Sequence, residues 1–317
     1  MGFTSERLSG VEAFVQAVDA GNFALAAERL RLTRSAVGKS IARLEQRLGT
    51  RLFHRTTRRQ SLTEAGQAYY ERCVRALAEL EAAEAVLDSG QREPSGRLRV
   101  SMPMLFGRHC VVPVLQRLAQ QYPRLELDLS FNDRVVDLVD EGFDLGIRIG
   151  PLADSASLAA RRLGIQHMGI GAAPSYLAKH GWPSNVEEMA GHSGILYSRA
   201  GHTVPWRVHD RQGNLCDARI EIRLRLDDLQ AIADVAVDGA GLAWLPCWLL
   251  SRYLQAGELA LVMSHEHVQG SDIHAVWPHT RYLPSKTRAA IDALVREIPA
   301  MISRPLSDQS CSSTPAP

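Results

Sequence analysis

One stretch near the amino terminus constrains the fold more than any other, because its apolar residues are confined to a narrow helical stripe. The stripe consists of Val37, Ile41, Leu44 and Leu48. Spacings of four, three and four place these side chains on one side of a helix, which we predict over residues 34–48. Thr33 directly precedes the pattern and suits the N-cap position. The opposite, polar side of this helix carries Ser35, Lys39, Ala42 and Gln46.

The residues before this helix predict two more helices. The first has apolar residues at helical spacing, namely Val11, Phe14, Val15 and Val18. Gly21 ends it, and Asn22 is a good cap for a short second helix over residues 23–30. A tight turn at 31–32 joins the second helix to the third. Two helices joined by a short turn, the second with a polar and basic free face, are typical of a helix-turn-helix that enters the major groove of DNA.

A hairpin wing is predicted next, over residues 51–62, where two short extended runs flank a basic tip. We expect Arg55, Arg58 and Arg59 at this tip to contact phosphates or the minor groove. Residues 28–60 hold ten Lys or Arg and two acids, so this window carries +8 while the remaining residues carry −7. A solvated helical face is the alternative interpretation. Clustering on one helix face and one hairpin tip favours a polyanionic partner instead.

The amino-terminal motifs resemble those of the LysR-type family of transcriptional regulators. The matching stretches are FVQAVDAGNFALAAERL at 14–30, IARLEQRLG at 41–49, Leu52 with Phe53, Arg55, and LTEAG at 62–66. The chain departs from the family where the third helix begins, since members usually carry Gln-Pro and a Ser three residues after the Pro. Arg34, Ser35 and Gly38 stand there instead, so the usual base contacts do not carry over, and an arginine here suits guanine.

The resemblance implies a winged helix-turn-helix domain, rich in α-helix, over residues 1–62, with a double-stranded DNA operator as its partner. The residues expected to bind DNA are Arg34, Ser35, Lys39, Arg43, Arg55, Arg58 and Arg59.

A long helix is predicted after the wing, over residues 63–90. Its apolar residues recur every three or four positions and form a seam of Ala65, Tyr69, Cys73, Ala76, Leu80, Ala83 and Leu87. A second copy of the same helix is the simplest partner for this seam, and the family resemblance favours such a dimerisation helix. The alternative is that the helix folds back on its own domain. We expect a dimer on a roughly palindromic site, and a tetramer as the larger assembly.

Strand and helix patterns alternate after a hinge at 91–96, which predicts an α/β domain over residues 91–304. In its first half we predict strands at 97–101, 125–131 and 145–149, and helices at 105–122 and 133–141. This order implies a parallel sheet with crossover helices. The tail at 305–317, rich in Ser and Pro, is expected to be disordered.

A second α/β half begins around residues 162–171. Its predicted elements are a capping box from Ser184 to Glu187, a strand at 220–226, a helix at 228–238, a strand at 242–245 and a helix opened by Pro246. A strand at 273–277 and a helix at 285–297 then return to the first half.

Three stretches of this domain extend the family resemblance, namely EGFDLGIRIG at 141–150, PSYLAKHG at 174–181 and GAGLAWLP at 239–246. They imply an effector domain that resembles periplasmic solute-binding proteins. Its two lobes are residues 91–165 with 268–304, and residues 166–267.

A small-molecule effector is expected between the lobes, because open α/β sheets bind ligands at the carboxyl ends of their strands, near helix amino termini that favour anions. An anionic effector is therefore one option. The residues predicted to bind it are Ser101, Met102, Pro103, Asn132, Arg148, Gly150, Tyr197, Ser198 and Pro246. Simpler roles stay open for two of them, since Arg148 could pair with Asp144 and Ser101 could cap the next helix.

An enzyme on the same α/β scaffold is the alternative from another class. The chain lacks a dinucleotide-binding glycine motif, a phosphate loop, a nucleophile elbow and a zinc-protease motif, so no catalytic residue, cofactor or metal site is predicted. His265 and His267 indicate a surface loop more than a metal site. A solute-binding protein is the other alternative, but no secretion signal or membrane span is found, and we expect a cytoplasmic protein with no membrane partner and reduced cysteines.

Overall fold

The computed structural model describes residues 10–54, 61–87, 93–199, 202–263, 268–280 and 283–303. They form two compact units, one built on the amino-terminal helices and one on two β-sheets. Several predictions lie outside the described residues, namely those for Arg55, Arg58 and Arg59, for the segment with His265 and His267, and for the tail at 305–317.

The amino-terminal helices begin and end close to where the sequence predicts. They are α1 at Val11–Asp19, α2 at Phe23–Arg29 and α3 at Arg34–Leu48. Both predicted caps are present, because the Asn22 side chain accepts a hydrogen bond from the Leu25 amide at 2.8 Å and the Thr33 hydroxyl accepts one from the Ala36 amide at 3.1 Å. The helix α3 ends at Gly49 in the left-handed conformation, which glycine adopts without strain.

The core of this module forms around Phe14, whose side chain is fully buried. Its ring lies 5.5 Å from that of Phe53 and 5.7 Å from that of Tyr69. Val37, Ile41 and Leu44 of the predicted stripe are buried against the same cluster, while Leu48 at the end is partly buried. The α3 stripe therefore holds the three helices together and leaves the polar side of α3 in solvent.

The long helix α4 spans Glu64–Leu87. Its first half folds back on its own module, since Tyr69 and Cys73 pack into the core and the Tyr70 hydroxyl donates to Asp19 Oδ1. The prediction that one continuous seam of α4 faces a second copy is therefore wrong in part. Three of its members, Ala65, Ala76 and Leu80, are exposed, and Ala83 and Leu87 lie outside the described side chains.

The first sheet has strand order β2-β1-β3-β13-β4. The strands are β1 at Gly96–Met102, β2 at Leu125–Phe131, β3 at Leu145–Ile149, β4 at Leu158–Gln166 and β13 at Ser271–Pro278. The strand β1 runs parallel to β2 and to β3, which confirms the predicted parallel core. The late strand β13 returns antiparallel between β3 and β4, as expected for a chain that crosses twice between two lobes.

The second sheet has strand order β10-β6-β11-β5-β12, with the short β7 paired to β6. The strands are β5 at Met168–Ala172, β6 at Ser193–Arg199, β7 at His202–Thr203, β10 at Glu221–Leu226, β11 at Leu242–Pro246 and β12 at Ala260–Met263. A separate two-stranded hairpin consists of β8 at Arg207–His209 and β9 at Leu215–Asp217. The fold is thus a helix-turn-helix module followed by a two-lobed α/β domain.

The helices of this domain are α5 at Met104–Phe106, α6 at Val112–Gln121, α7 at Pro174–His180, α8 at Leu229–Val237, α9 at Cys247–Ala256 and α10 at Ser285–Ile302. A π-helical turn at Gly107–Val111 joins α5 to α6, so the predicted helix at 105–122 is continuous but not regular. The last helix continues past the predicted end at 297 and contains Pro299.

Two local predictions are wrong. Residues 133–141 form turns instead of a helix, because the Asp137 carboxylate accepts from the amides of Val139 and Asp140 and closes a local turn. The capping box is shifted by one residue, since Glu188 and not Glu187 accepts from the Ser184 amide, and Asn185 accepts from the Glu188 amide.

Among the helices that the structure describes, none combines the length and the apolar composition that a membrane span needs.

Candidate functional site

The polar side of α3 is exposed along its whole length. Arg34, Ser35, Lys39 and Arg43 all project from the surface of the module. With about 3.6 residues per turn, Ser35, Lys39 and Arg43 lie on this face, whereas Arg34 lies in the first turn, toward the side that carries Ile41. The Thr33 side chain caps the end of α3 that carries Arg34 and Ser35. Of the four predicted DNA-binding residues that the structure describes, three thus share one exposed face, and Arg34 is exposed at the start of the helix.

The strand that enters the wing is fixed to α3 by one carboxylate. Glu45 Oε1 accepts hydrogen bonds from the amides of Leu52, at 2.8 Å, and Phe53, at 3.2 Å. Glu45 lies on α3 between the buried stripe and the exposed face. The start of the wing therefore has a defined position relative to the exposed face of α3.

The base of the wing is closed by backbone pairing. Phe53 and Leu62 form an antiparallel bridge, and the His54 amide donates to the Ser61 carbonyl at 2.9 Å. These contacts confirm the predicted hairpin at its base, and the tip with the three arginines lies outside the described residues.

A glycine of α4 supports the same region from the other side. A Cβ placed on Gly66 would lie 2.1 Å from the carbonyl oxygen of Leu52, far inside van der Waals contact. The Gly66 amide donates a hydrogen bond to the Thr63 hydroxyl at 2.9 Å, and that hydroxyl donates to the Arg51 carbonyl at 2.7 Å. The glycine of the LTEAG motif is therefore required by packing, because only glycine allows α4 to approach the wing so closely.

A second site lies at the carboxyl ends of the sheets in the α/β domain. It is a cleft of about 400 Å³, counting its open mouth. Its lining is Pro103, Met104, Leu105, Phe106, Asp133, Ile149, Gln166, Tyr197, Asp227, Asp228, Leu229 and Trp248. Most of these residues follow β1, β2, β10 and β11 or end β3 and β4, and Tyr197 lies in the second half of β6. The carboxyl ends of strands therefore form the cleft, as the sequence pattern predicts.

The predicted effector-binding residues divide into two groups. Pro103 and Tyr197 line the cleft. The others do not line it and stand beside lining residues in the chain or in the sheets, namely Ser101, Met102, Asn132, Arg148, Gly150, Ser198 and Pro246. Successive side chains of a strand point to opposite faces, and it is Ile149 of β3 that faces the cleft instead of Arg148. Ser101 is buried and is not the cap of the next helix, because the Met104 amide donates to Asp133.

The acidic members of the lining were missed by the sequence reasoning. Asp133 accepts from the Met104 amide at 3.0 Å and Asp228 accepts from the Ala231 amide at 2.9 Å, so both carboxylates hold helix amino termini. A signal for Asp228 was available, since an aspartate before a helical pattern is a common N-cap. Nothing local indicates that Asp133 and Asp227 would share a cleft, because they are distant in sequence.

The back of the cleft is aromatic and buried. Trp248 lies edge to face with Phe106 at 6.0 Å, and its indole N–H donates to Gln166 Oε1 at 3.2 Å. Burial, with Arg252 and Arg108 as weaker causes, lowers the pKa of the neighbouring His109. Burial also raises the pKa of the Cys247 thiol, next to Trp248, to about 12, so this thiol stays protonated.

Both the amino-terminal module and the α/β domain resemble known proteins. A family model described as "Bacterial regulatory helix-turn-helix protein, lysR family" matches residues 8–67, and one described as "LysR substrate binding domain" matches residues 91–299. The HTH-type transcriptional regulator CrgA of Neisseria meningitidis serogroup C is 33% identical over 286 residues, which is 90% of this chain and 95% of that protein. An uncharacterized HTH-type transcriptional regulator of Haemophilus influenzae is 33% identical over 89% of this chain and 97% of its own length.

Solved structures give the same result. The structure of CrgA, a LysR-type transcriptional regulator from Neisseria meningitidis, has a TM-score of 0.58 at 31% identity and covers 94% of this chain and 99% of its own. The full-length structure of the Vibrio cholerae virulence activator AphB has a TM-score of 0.57 at 26% identity, with 90% and 98% covered.

Proposed function

Because the chain belongs to the LysR family of bacterial transcriptional regulators, we propose that α3 reads an operator sequence and that the cleft binds the small molecule that controls the response. The protein is a DNA-binding transcriptional regulator with an effector-binding domain, and it is not an enzyme.

The exposed face of α3 carries the proposal for DNA recognition. Arg34, Ser35, Lys39 and Arg43 offer four hydrogen-bonding side chains on one helix whose other side is buried. Arginine and lysine can donate to the O6 and N7 acceptors of guanine, and serine can pair with several base edges. We place these four residues in the major groove, with Arg55, Arg58 and Arg59 of the wing beside it on the backbone or minor groove.

The cleft carries the proposal for effector binding. It combines apolar walls with a few polar groups at the carboxyl ends of strands, which is the usual composition of a small-molecule site. Among the predicted residues, Pro103 and Tyr197 are proposed as direct contacts, and the others as the layer that holds them. The mouth lies between strands of both sheets, so closure on a ligand would change how the two lobes meet.

The exposed part of the α4 seam supports a homodimer. Leu80 exposes 43% of its surface, and Ala76 lies next to it on the exposed side of the helix. A leucine and an alanine one helical turn apart can pack against the same residues of a second copy. We therefore propose a dimer through α4, with two DNA-binding modules per dimer and a tetramer as the assembly on longer sites.

The first experiment is to footprint the purified protein on the DNA next to its own gene. A protected stretch with two related half-sites, spaced by whole turns of the double helix, is expected from a dimer of helix-turn-helix modules. Protection that spreads evenly along the fragment would contradict sequence-specific binding.

A further inference from the structure

The charges around the cleft point to the chemical class of the effector, an inference that rests on the proposed role of the cleft. Its described lining contains three carboxylates, those of Asp133, Asp227 and Asp228, and no Lys, Arg or His. Arg252, whose guanidinium lies 3.4 Å from the His109 ring, is not part of that lining. The described lining is thus acidic within a chain of nearly balanced charge.

Helix amino termini around the cleft are already occupied by groups of the chain itself. The Met104 amide at the start of α5 donates to Asp133, and the Ala231 amide in α8 donates to Asp228. The first amide of α9, Cys247 N, donates to the His167 carbonyl at 2.9 Å. These are the amides that would otherwise attract an anionic ligand. An incoming carboxylate or phosphate would meet fixed negative charge there instead.

One carboxylate of the lining has no donor in the described part of the chain. The Asp227 carboxylate has no hydrogen bond or ion pair there, although it belongs to the lining. Asp227 is exposed, so its carboxylate can accept hydrogen bonds from a ligand that supplies N–H donors.

The lining also offers a surface for an apolar body. Phe106, Trp248 and Leu229 form a hydrophobic surface, and Tyr197 adds a third aromatic ring. Aromatic rings also attract cations through their negative faces, so an ammonium group near these rings is stabilised by the rings as well as by the carboxylates.

We propose that the effector of this regulator is an organic ammonium ion, a protonated amine joined to an apolar or aromatic body. Its N–H groups bind the carboxylates of Asp227, Asp228 and Asp133, and its body packs on Trp248 and Phe106. No covalent step is involved. The carboxylates of the lining set the charge of the ligand.

Calorimetric titration of the full-length protein with three matched probes tests the class of ligand. Phenethylamine, hydrocinnamate and phenethyl alcohol share one aromatic body and differ in the charge of the head group, and linear amines extend the series. We expect the amines to bind, and hydrocinnamate and phenethyl alcohol to bind more weakly. Equal or tighter binding of hydrocinnamate, or no binding of any amine at millimolar concentration, overturns the proposal.

One variant tests the role of the Asp227 carboxylate, and a second variant serves as its control. Asp227→Asn keeps the shape of the cleft and should weaken amine binding by about tenfold, the size expected for a hydrogen bond to a charged group. Asp292→Asn, on the exposed side of α10, is the matched control and should leave it unchanged. Equal amine affinity in Asp227→Asn and the wild type overturns the proposal.

A cleft-filling variant separates this proposal from the proposed function. Leu229→Trp should abolish binding of any probe that enters the cleft. If hydrocinnamate binds to the wild type and is lost in Leu229→Trp, the cleft is the effector site but the ammonium class is wrong. If an amine binds equally to both proteins, the cleft is not the effector site. Both the proposed effector site and the proposed ammonium ligand are then wrong.

Discussion

The carboxylate of Glu45 on α3 accepts a hydrogen bond from the backbone amide of Leu52 at 2.8 Å, and a second from the next amide. This contact joins the helix that carries the exposed polar face to the strand that leads into the wing. Two parts of the proposed DNA-binding surface, seven residues apart in sequence, thereby keep one relative position.

Replacement of Glu45 by Ala should lower both stability and DNA affinity. Two partly buried amides would lose a charged acceptor, which costs about 1–3 kcal/mol of unfolding free energy. Urea unfolding measures the first effect, and titration with operator DNA measures the second. The exposed Glu28→Ala is the control and should change neither by a comparable amount. Equal stability of Glu45→Ala and the wild type would show that the contact is dispensable.

Gly66→Ala should be strongly destabilising, because the new methyl group would lie 2.1 Å from the Leu52 carbonyl oxygen. Backbone of α4 or of the wing must shift, at a cost of about 1–3 kcal/mol or more. Gly38→Ala is the matched control, since a Cβ there meets no atom within 4 Å. It should stabilise α3 by about 1 kcal/mol, the helix propensity difference. The midpoint of thermal unfolding should therefore fall in Gly66→Ala and rise in Gly38→Ala.

Leu80→Asp should shift the protein toward monomer. A charge in the proposed α4 interface would have to be buried without a partner, whereas it is solvated in a monomer. Sedimentation analysis over a range of concentrations measures the change. Leu25→Asp, at an exposed leucine of α2, serves as the control and should leave the assembly intact. A Leu80→Asp protein that remains dimeric at the same concentrations would place the interface elsewhere.

Leu229→Trp should uncouple the response from the effector. The larger side chain fills the cleft from the first residue of α8, so a reporter driven by the natural promoter should lose its response to inducing conditions while operator binding persists. The same change at Leu215, exposed on the β8–β9 hairpin, should leave the response intact. A normal response from Leu229→Trp would remove the cleft from the mechanism.

Local sequence was sufficient wherever an element carries its own boundaries. The helix α3 runs over the predicted residues because Thr33 caps its start and Gly49 its end. The strands at 125–131 and 145–149 also match their predicted bounds, because each is a short apolar or alternating run between turn residues. In these places propensity, capping and packing favour the same structure.

Sequence reasoning failed where a side chain competes with the backbone or where the topology decides. The Asp137 carboxylate takes the amides that a helix at 133–141 would need, and hydrophobic spacing does not reveal this competition. The acidic cleft was missed because Asp133 and Asp227 come from different lobes. Only the strand orders of the two sheets bring their carboxylates to one place.

The seam of α4 shows the same limit. Tyr69 and Cys73 have the spacing of a dimer interface and yet pack into their own module, because the core around Phe14 has room for them. Periodicity identifies the apolar side of a helix but not the surface that covers it.

If α3 reads bases, Lys39→Ala and Arg34→Ala should affect binding to operator DNA and to random DNA differently. Loss of a base contact costs about 1–3 kcal/mol of discrimination, so each change should weaken operator binding by about tenfold or more and random binding far less. Lys179→Ala, exposed on α7, is the control and should affect neither. Equal losses on operator and random DNA would mean that these side chains meet only phosphates, which would contradict the claim that α3 specifies the sequence.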